Sequence, residues 1–114
     1  MSSLNEYADA IYEWAERKGW NKDFVLGNQV CNLHAEISEG WEEIRNNHPS
    51  NEVYFREDGK PEGFLIELID LIIRALHMMR NIERNNAPVD VDALMRLKMH
   101  YNETRPYRHG GKAN

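Results

Sequence analysis

The chain has 114 residues, which is enough for one globular domain and too few for two ordinary ones. Its formal net charge is -5 and no basic cluster offsets it, so the composition argues against a nucleic-acid-binding surface. Its one cysteine, Cys31, excludes an internal disulfide, and no signal-peptide core or uncharged stretch of membrane-spanning length is evident. We therefore expect a single cytoplasmic domain over residues 1–114.

Helical periodicity of the apolar residues predicts an all-α fold, a compact four-helix bundle. The expected helices cover, in chain order, about residues 4–18, 23–45, 61–85 and 90–101. Gly19 ends the first helix and Asp90 caps the fourth. Residues 46–63 are expected to be a loop, whose centre at 53–55 could form a short extended segment. Residues 103–114 are expected to be an irregular tail, because a proline and two glycines oppose a helix.

The third predicted helix carries one ionisable stripe on an otherwise apolar surface. From residue 64 to 79 the exceptions to the apolar pattern are Glu67, Asp70, Arg74 and His77, which recur at helical spacing. Buried carboxylates are costly when unpaired, so this stripe must face water, a counter-charge or a metal ion. For Arg74 and His77 we expect ion-pair or hydrogen-bond roles rather than catalysis.

The second predicted helix carries a second carboxylate pair, Glu36 and Glu39, again one turn apart on one face. Its other face is apolar and consists of Val30, Leu33, Ile37, Trp41 and Ile44. We expect Trp41, like Trp14 of the first helix, to lie in the core. If the two helices pack antiparallel, both carboxylate pairs converge, and such a cluster resists ionisation unless cations fill it. All-oxygen ligands favour Mg²⁺ or Mn²⁺.

The apolar circumference of the third helix is larger than three other helices from a chain of this size can cover. A subunit interface is the economical explanation, so we expect a homodimer or homotetramer. We expect no nucleic-acid partner and no membrane partner.

The spacing of the carboxylates resembles that of a known family. Glu36-x-x-Glu39, a gap of 27 residues, and Glu67-x-x-Asp70 resemble the all-α nucleoside triphosphate pyrophosphohydrolases, the MazG-like proteins. A C-terminal run carries a second part of the resemblance, to stand-alone members of phages and mobile elements: Lys98-x-x-x-Asn102-x-x-Arg105-Pro106, followed by HGGK. The resemblance covers roughly residues 20–112.

The resemblance implies a Mg²⁺-dependent enzyme that cleaves a nucleoside triphosphate between the α and β phosphates. Its implied metal ligands are Glu36, Glu39, Glu67 and Asp70. Its implied phosphate and sugar contacts are Lys98, Asn102 and Arg105, and Trp20 falls where some relatives stack an aromatic ring on the nucleobase. For the base that takes the water's proton we prefer Glu39 to Glu43. Lys98 and Arg105 would neutralise the leaving pyrophosphate.

Three alternatives stay open at this point. The substrate could be any canonical or damaged nucleotide, and a guanine-specific (dGTP or GTP) or dUTP-selective enzyme fits equally. The chain could instead be a non-enzymatic helical interaction module whose carboxylates are solvated. A di-iron bundle ranks lower, because no glutamate is followed three residues later by histidine.

Overall fold

The computed structural model describes residues 2–107, and they are mostly helical, as the sequence predicts. The helices are α1 (Leu4–Arg17), α2 (Leu26–Arg45), α3 (Phe64–Glu83) and α4 (Val91–Glu103). Between α2 and α3 lies an antiparallel hairpin of two short strands, β1 (Tyr54–Phe55) and β2 (Pro61–Glu62). The helix boundaries agree with the prediction to within three residues. The hairpin was only half anticipated, because its second strand lies where α3 was expected to begin.

The two ends of α1 follow from local chemistry. At the start, the Ser3 hydroxyl accepts a hydrogen bond from the Glu6 amide, and the Glu6 carboxylate accepts one from the Ser3 amide. This capping box satisfies two backbone groups that a helix start otherwise leaves unpaired. At the end, Gly19 adopts φ +75°, a conformation that favours glycine, and the chain turns there as predicted.

Helices α2 and α3 pack antiparallel and form the main contact of the fold. The residue pairs show the direction, since Gly40 lies against Phe64 while Glu36 lies against Arg74. A Cβ atom at Gly40 would come within 3.1 Å of the Phe64 ring and 3.4 Å of the Glu67 Cβ. The glycine therefore allows α3 to approach α2 closely at the level of Glu67.

The hairpin fixes the start of α3. Tyr54 of β1 pairs with Glu62 of β2, and the Tyr54 hydroxyl donates to the Glu43 carboxylate of α2 at 2.9 Å. Gly63 precedes α3 with φ +129°, and a Cβ atom there would lie 2.3 Å from the Glu52 carbonyl oxygen. Only glycine fits this position, which sets where α3, and with it Glu67, begins.

Helix α1 also runs antiparallel to α3, and α4 packs against the start of α1. Arg80 of α3 donates to Asp9 of α1 at 2.7 Å. Asp92 of α4 accepts from the first two backbone amides of α1, at 3.0 and 3.2 Å, and Asp90 caps α4 as predicted by accepting from the Ala93 amide. The buried apolar cluster between these helices consists of Ala8, Ile11, Leu76 and Val91.

A single chain is more open than the compact bundle expected from the sequence. Its radius of gyration is 16.8 Å, against about 13 Å for a globular chain of this length. Its accessible surface is 8793 Å², against about 6,500 Å² for a folded monomer of this mass. The prediction that Trp41 lies in the core is wrong for the single chain, because Trp41 is 57% exposed. The apolar face of α2 has nothing packed over it at that point among residues 2–107.

The described chain ends in a short segment after α4. Residue 103, placed in the irregular tail by the prediction, is the last residue of α4, and residues 104–107 follow it outside helix and strand. The rest of the predicted tail, residues 108–114, lies outside the described residues. Within residues 2–107, every helix is too short or too polar to cross a lipid bilayer.

Candidate functional site

The antiparallel packing of α2 and α3 brings three of the four predicted carboxylate ligands together. Glu36, Glu67 and Asp70 each place one carboxylate oxygen within 4.8 Å of the other two. Glu36 is only 7% exposed, and the other two are half-buried. We call these three side chains the carboxylate cluster.

Two oxygens of the carboxylate cluster are buried without a hydrogen-bond partner, Oε2 of Glu36 and Oε2 of Glu67. A buried acceptor without a partner costs free energy, and a buried ionised carboxylate costs more. The two groups can satisfy each other only when one of them carries a proton. Burial, the hydrogen bond with Glu36 and the nearby charges of Asp70, Glu39 and Glu36 raise the pKa of Glu67 to about 8. Burial and then the Glu36 charge raise the pKa of Asp70.

Arg74 provides the one counter-charge in direct contact with the cluster, within the described part of the chain. Its Nε atom donates to Oε1 of Glu36 at 2.6 Å, which confirms the predicted ion-pair role. Burial by itself would raise the pKa of Glu36, but the hydrogen bonds with Arg74 and Glu67 outweigh it and lower that pKa. The cluster therefore holds one well-neutralised carboxylate and two that resist ionisation.

The donor set of the cluster fits a hard divalent cation. All three groups supply carboxylate oxygens, the ligands that Mg²⁺ and Mn²⁺ prefer. Opposite ligands of a bound Mg²⁺ lie about 4.2 Å apart, so oxygens already within 4.8 Å of one another need only small adjustments. The two unpartnered buried oxygens are the acceptors that a cation would satisfy.

The fourth predicted ligand, Glu39, lies at the edge of the cluster. It is exposed, but it is close enough for its charge to raise the pKa of both Glu67 and Asp70. Glu43, one turn further on, accepts the single hydrogen bond of the Tyr54 hydroxyl, which lies 3.1 and 2.9 Å from its two carboxylate oxygens, and raises the Tyr54 pKa to about 12. Of the two candidate bases, Glu43 thus accepts a hydrogen bond from a tyrosine hydroxyl, whereas Glu39 has no such bond within residues 2–107.

A cleft of about 590 Å³ opens beside the carboxylate cluster, and α1, α2 and α3 all contribute to its lining. Glu36 and Asp70 line one part of it. Apolar side chains line much of the remainder: Ile11, Trp14, Trp20 and Ile73. Trp20 is 56% exposed, and its ring meets that of Trp14 edge-on, with centroids 5.6 Å apart. The structure thus brings Trp20 to the same cleft as two of the predicted metal ligands.

Behind this cleft, His77 makes a hydrogen bond with Asn21. A hydrogen-bond or ion-pair role was predicted for His77, whereas Asn21 was not identified from the sequence. Asn21 is 1% exposed, and its amide nitrogen donates to the Tyr12 carbonyl and the Glu16 carboxylate. Its Oδ1 must therefore accept, which makes His77 Nε2 the donor in their 2.6 Å contact. Burial and then the Arg74 charge lower the pKa of His77, which favours the neutral form of the ring. The turn signal at Gly19 lies close to Asn21 in the sequence, but it says nothing about the burial of that side chain.

The predicted phosphate contacts lie apart from the cleft of their own chain. Lys98 and Asn102 are exposed on α4, and Arg105 is exposed just beyond its end. The Lys98 ammonium lies over the Tyr101 ring, 5.1 Å from its centroid. No α4 residue lines the cleft within the described chain.

Comparisons with protein-family models, curated proteins and solved structures found no match to this chain. The chemistry open to the site therefore follows from its own side chains. They provide an acidic cluster with two unpartnered oxygens, the guanidinium group of Arg74 in contact with it, and a cleft lined by aromatic rings beside it.

Proposed function

We propose that the chain is a Mg²⁺-dependent nucleoside triphosphate pyrophosphohydrolase of the MazG-like type, working in the cytoplasm. It would cleave (d)NTP between the α and β phosphates to give (d)NMP and pyrophosphate. One observation carries the proposal: buried carboxylate oxygens without partners lie beside a cleft of nucleotide size that is walled by tryptophan. A triphosphate needs cations at one end and an apolar, aromatic surface at the other.

The carboxylate cluster would hold the divalent cation, Mg²⁺ or Mn²⁺, and Glu39 would join from its edge. When bound, the cation supplies Lewis-acid polarisation of a phosphoryl oxygen and neutralises substrate charge. Glu39 is exposed and close to the cluster, so it is our candidate for taking the proton of the attacking water. Trp20 offers a partly exposed ring for stacking on the nucleobase.

We further propose that the working form is a homodimer or homotetramer. Three apolar side chains of α3 are between 41% and 49% exposed in the single chain, namely Leu65, Ile69 and Ile72. A second copy of the chain would cover these surfaces and complete the MazG-type bundle.

Oligomerisation also bears on the phosphate contacts of α4. Within residues 2–107 this helix packs mainly on α1, and much of its apolar surface is exposed, including Leu94, Met95, Leu97 and Met99. If a neighbouring copy covers α4, Lys98, Asn102 and Arg105 can reach the cleft of that copy. Their cationic and amide groups suit the leaving pyrophosphate and the sugar.

The test is product analysis. Purified protein is incubated with each common NTP and dNTP, dUTP included, with Mg²⁺ and with EDTA, and nucleotides are separated by chromatography. We expect monophosphate with Mg²⁺, none with EDTA, and none from the Glu67→Gln variant. A folded protein that leaves every triphosphate intact would refute the proposal. The same panel reads out a preference for dGTP, GTP or dUTP.

A second candidate, a non-enzymatic helical interaction module, is favoured by the extent of exposed apolar surface alone. It gives no role to the convergence of Glu36, Glu67 and Asp70 beside the cleft. In that case Mg²⁺ would leave the melting temperature unchanged and Glu39→Gln would have no effect.

A further inference from the structure

Arg74 is held by one of its three guanidinium nitrogens, and this leaves the other two available. Nε donates to Glu36 at 2.6 Å. Neither terminal nitrogen has a hydrogen-bond partner within residues 2–107, and neither is buried. The side chain is 40% exposed and lines the cleft. The terminal nitrogens therefore remain available to a ligand.

The position of Arg74 along α3 determines what part of a ligand it can meet. It lies one turn after Asp70, on the side away from Glu67, and His77 follows three residues later in the lining of the cleft. Arg74 therefore lines the same cleft as Asp70 and the paired rings of Trp14 and Trp20. A ligand that reaches both the carboxylate cluster and these rings would share the cleft with Arg74.

The same carboxylate can serve Arg74 and a cation at once. Arg74 uses Oε1 of Glu36, whereas the unpartnered oxygen is Oε2. Arginine in this setting is positioned before a ligand arrives, because the ion pair with a buried carboxylate fixes its orientation. A planar fork of two donors matches the oxygens of a phosphoryl group.

We propose that Arg74 is a substrate-binding residue whose terminal nitrogens hold a phosphoryl oxygen of the nucleotide, adjacent to the sugar, while Nε stays on Glu36. This inference rests on the proposed function for the identity of the ligand as a nucleotide. It assigns to Arg74 the α-phosphoryl group, the one nearest the base.

The test measures binding rather than turnover. Full-length wild type, Arg74→Gln and Arg74→Lys are titrated calorimetrically, with Mg²⁺ present, with the four deoxynucleoside 5′-monophosphates and with the corresponding deoxynucleosides. Mg²⁺ alone is assayed by its effect on the melting temperature. Arg45→Gln is the matched control, because Arg45 makes an exposed ion pair with Glu42 on α2.

We expect Arg74→Gln to weaken the tightest monophosphate at least tenfold and to leave its nucleoside unchanged. The Mg²⁺-induced rise in melting temperature should be no smaller than in wild type, and Arg74→Lys should fall in between. Equal monophosphate affinity in wild type and Arg74→Gln would overturn the inference. So would a parallel loss of Mg²⁺ binding, which indicates a purely structural role, or a wild type that binds no monophosphate more tightly than its nucleoside. If monophosphate binding depends on Arg74 but no triphosphate is hydrolysed, the proposed function fails and the inference stands.

Discussion

Replacing Glu67 with glutamine tests the electrostatic account of the carboxylate cluster, because it removes a charge while keeping the shape. The pKa of Glu67 rises from 4.5 to about 8 on folding. Between these values the folded protein binds a proton that the unfolded chain has released, so stability falls as the pH rises. From pH 4.5 to pH 7.5 the loss of stability runs over about three pH units at roughly 1.4 kcal/mol each. The wild-type Glu67 carboxyl therefore costs the folded state at most about 4 kcal/mol at pH 7.5.

Solvent at the half-buried cluster screens part of this cost, so we expect Glu67→Gln to stabilise the metal-free protein by about 2 kcal/mol at pH 7.5. For a chain of this length that corresponds to a rise in melting temperature of about 8 °C. The gain should disappear as the pH is lowered towards 4.5, where the wild-type carboxyl is protonated in both states. Glu36, whose pKa is lowered, acts in the opposite sense, and its contribution is lost only at still lower pH.

The same variant should lose the response to metal. Wild type should be stabilised by about 2.7 kcal/mol when Mg²⁺ is at a hundred times its dissociation constant, and Glu67→Gln should lose most of this. Differential scanning calorimetry from pH 5 to 8, with EDTA or with Mg²⁺, measures both effects. Glu42→Gln, an exposed site on α2, is the control. A Glu67→Gln protein that is less stable without metal, and equally stabilised by Mg²⁺, would refute the reasoning.

Four further predictions follow from the site and the fold. Glu39→Gln should lower turnover by a hundredfold or more, about 2.7 kcal/mol in the barrier, with the far-ultraviolet circular dichroism unchanged, whereas wild-type turnover would remove Glu39 from the chemistry. Lys98→Ala should weaken triphosphate binding in calorimetry and spare the Mg²⁺-induced melting shift; loss of both would mean that it acts on the fold. Gly63→Ala should cost about 2 kcal/mol or more in urea unfolding, because its Cβ atom would meet the Glu52 carbonyl, while Gly59→Ala, in open space, should cost less; equal costs would contradict the packing described. Light scattering should give at least twice the 13.4 kDa chain mass, and a well-folded monomer at micromolar concentration would contradict the proposed interface.

The parts of the fold that depend on local sequence were predictable. The periodicity of apolar residues gave the four helices, Gly19 gave the end of α1, and Asp90 gave the cap of α4. The hairpin was missed in part, because strands of two residues carry no alternating pattern, and Pro61 also suits a helix start. The Ser3–Glu6 capping box was a readable signal that the prediction did not use.

The site was predictable as far as spacing on a helix determines it. Glu36, Glu67 and Asp70 converge because each lies on the helix face that antiparallel packing turns towards its neighbour. The burial of Asn21 and the free terminal nitrogens of Arg74 depend on contacts between distant segments, which a single sequence does not display. The exposure of Trp41 has the same origin, since an apolar face predicts burial without saying which surface covers it.

The most direct test of the central claim is ³¹P nuclear magnetic resonance of wild-type protein with Mg²⁺ and the nucleoside triphosphate that the panel shows to be consumed fastest. Cleavage between the α and β phosphates predicts that monophosphate and pyrophosphate resonances grow in equal amounts, and that neither grows when EDTA replaces Mg²⁺. Nucleoside diphosphate with orthophosphate, or an unchanged triphosphate spectrum with every nucleotide tried, would contradict it.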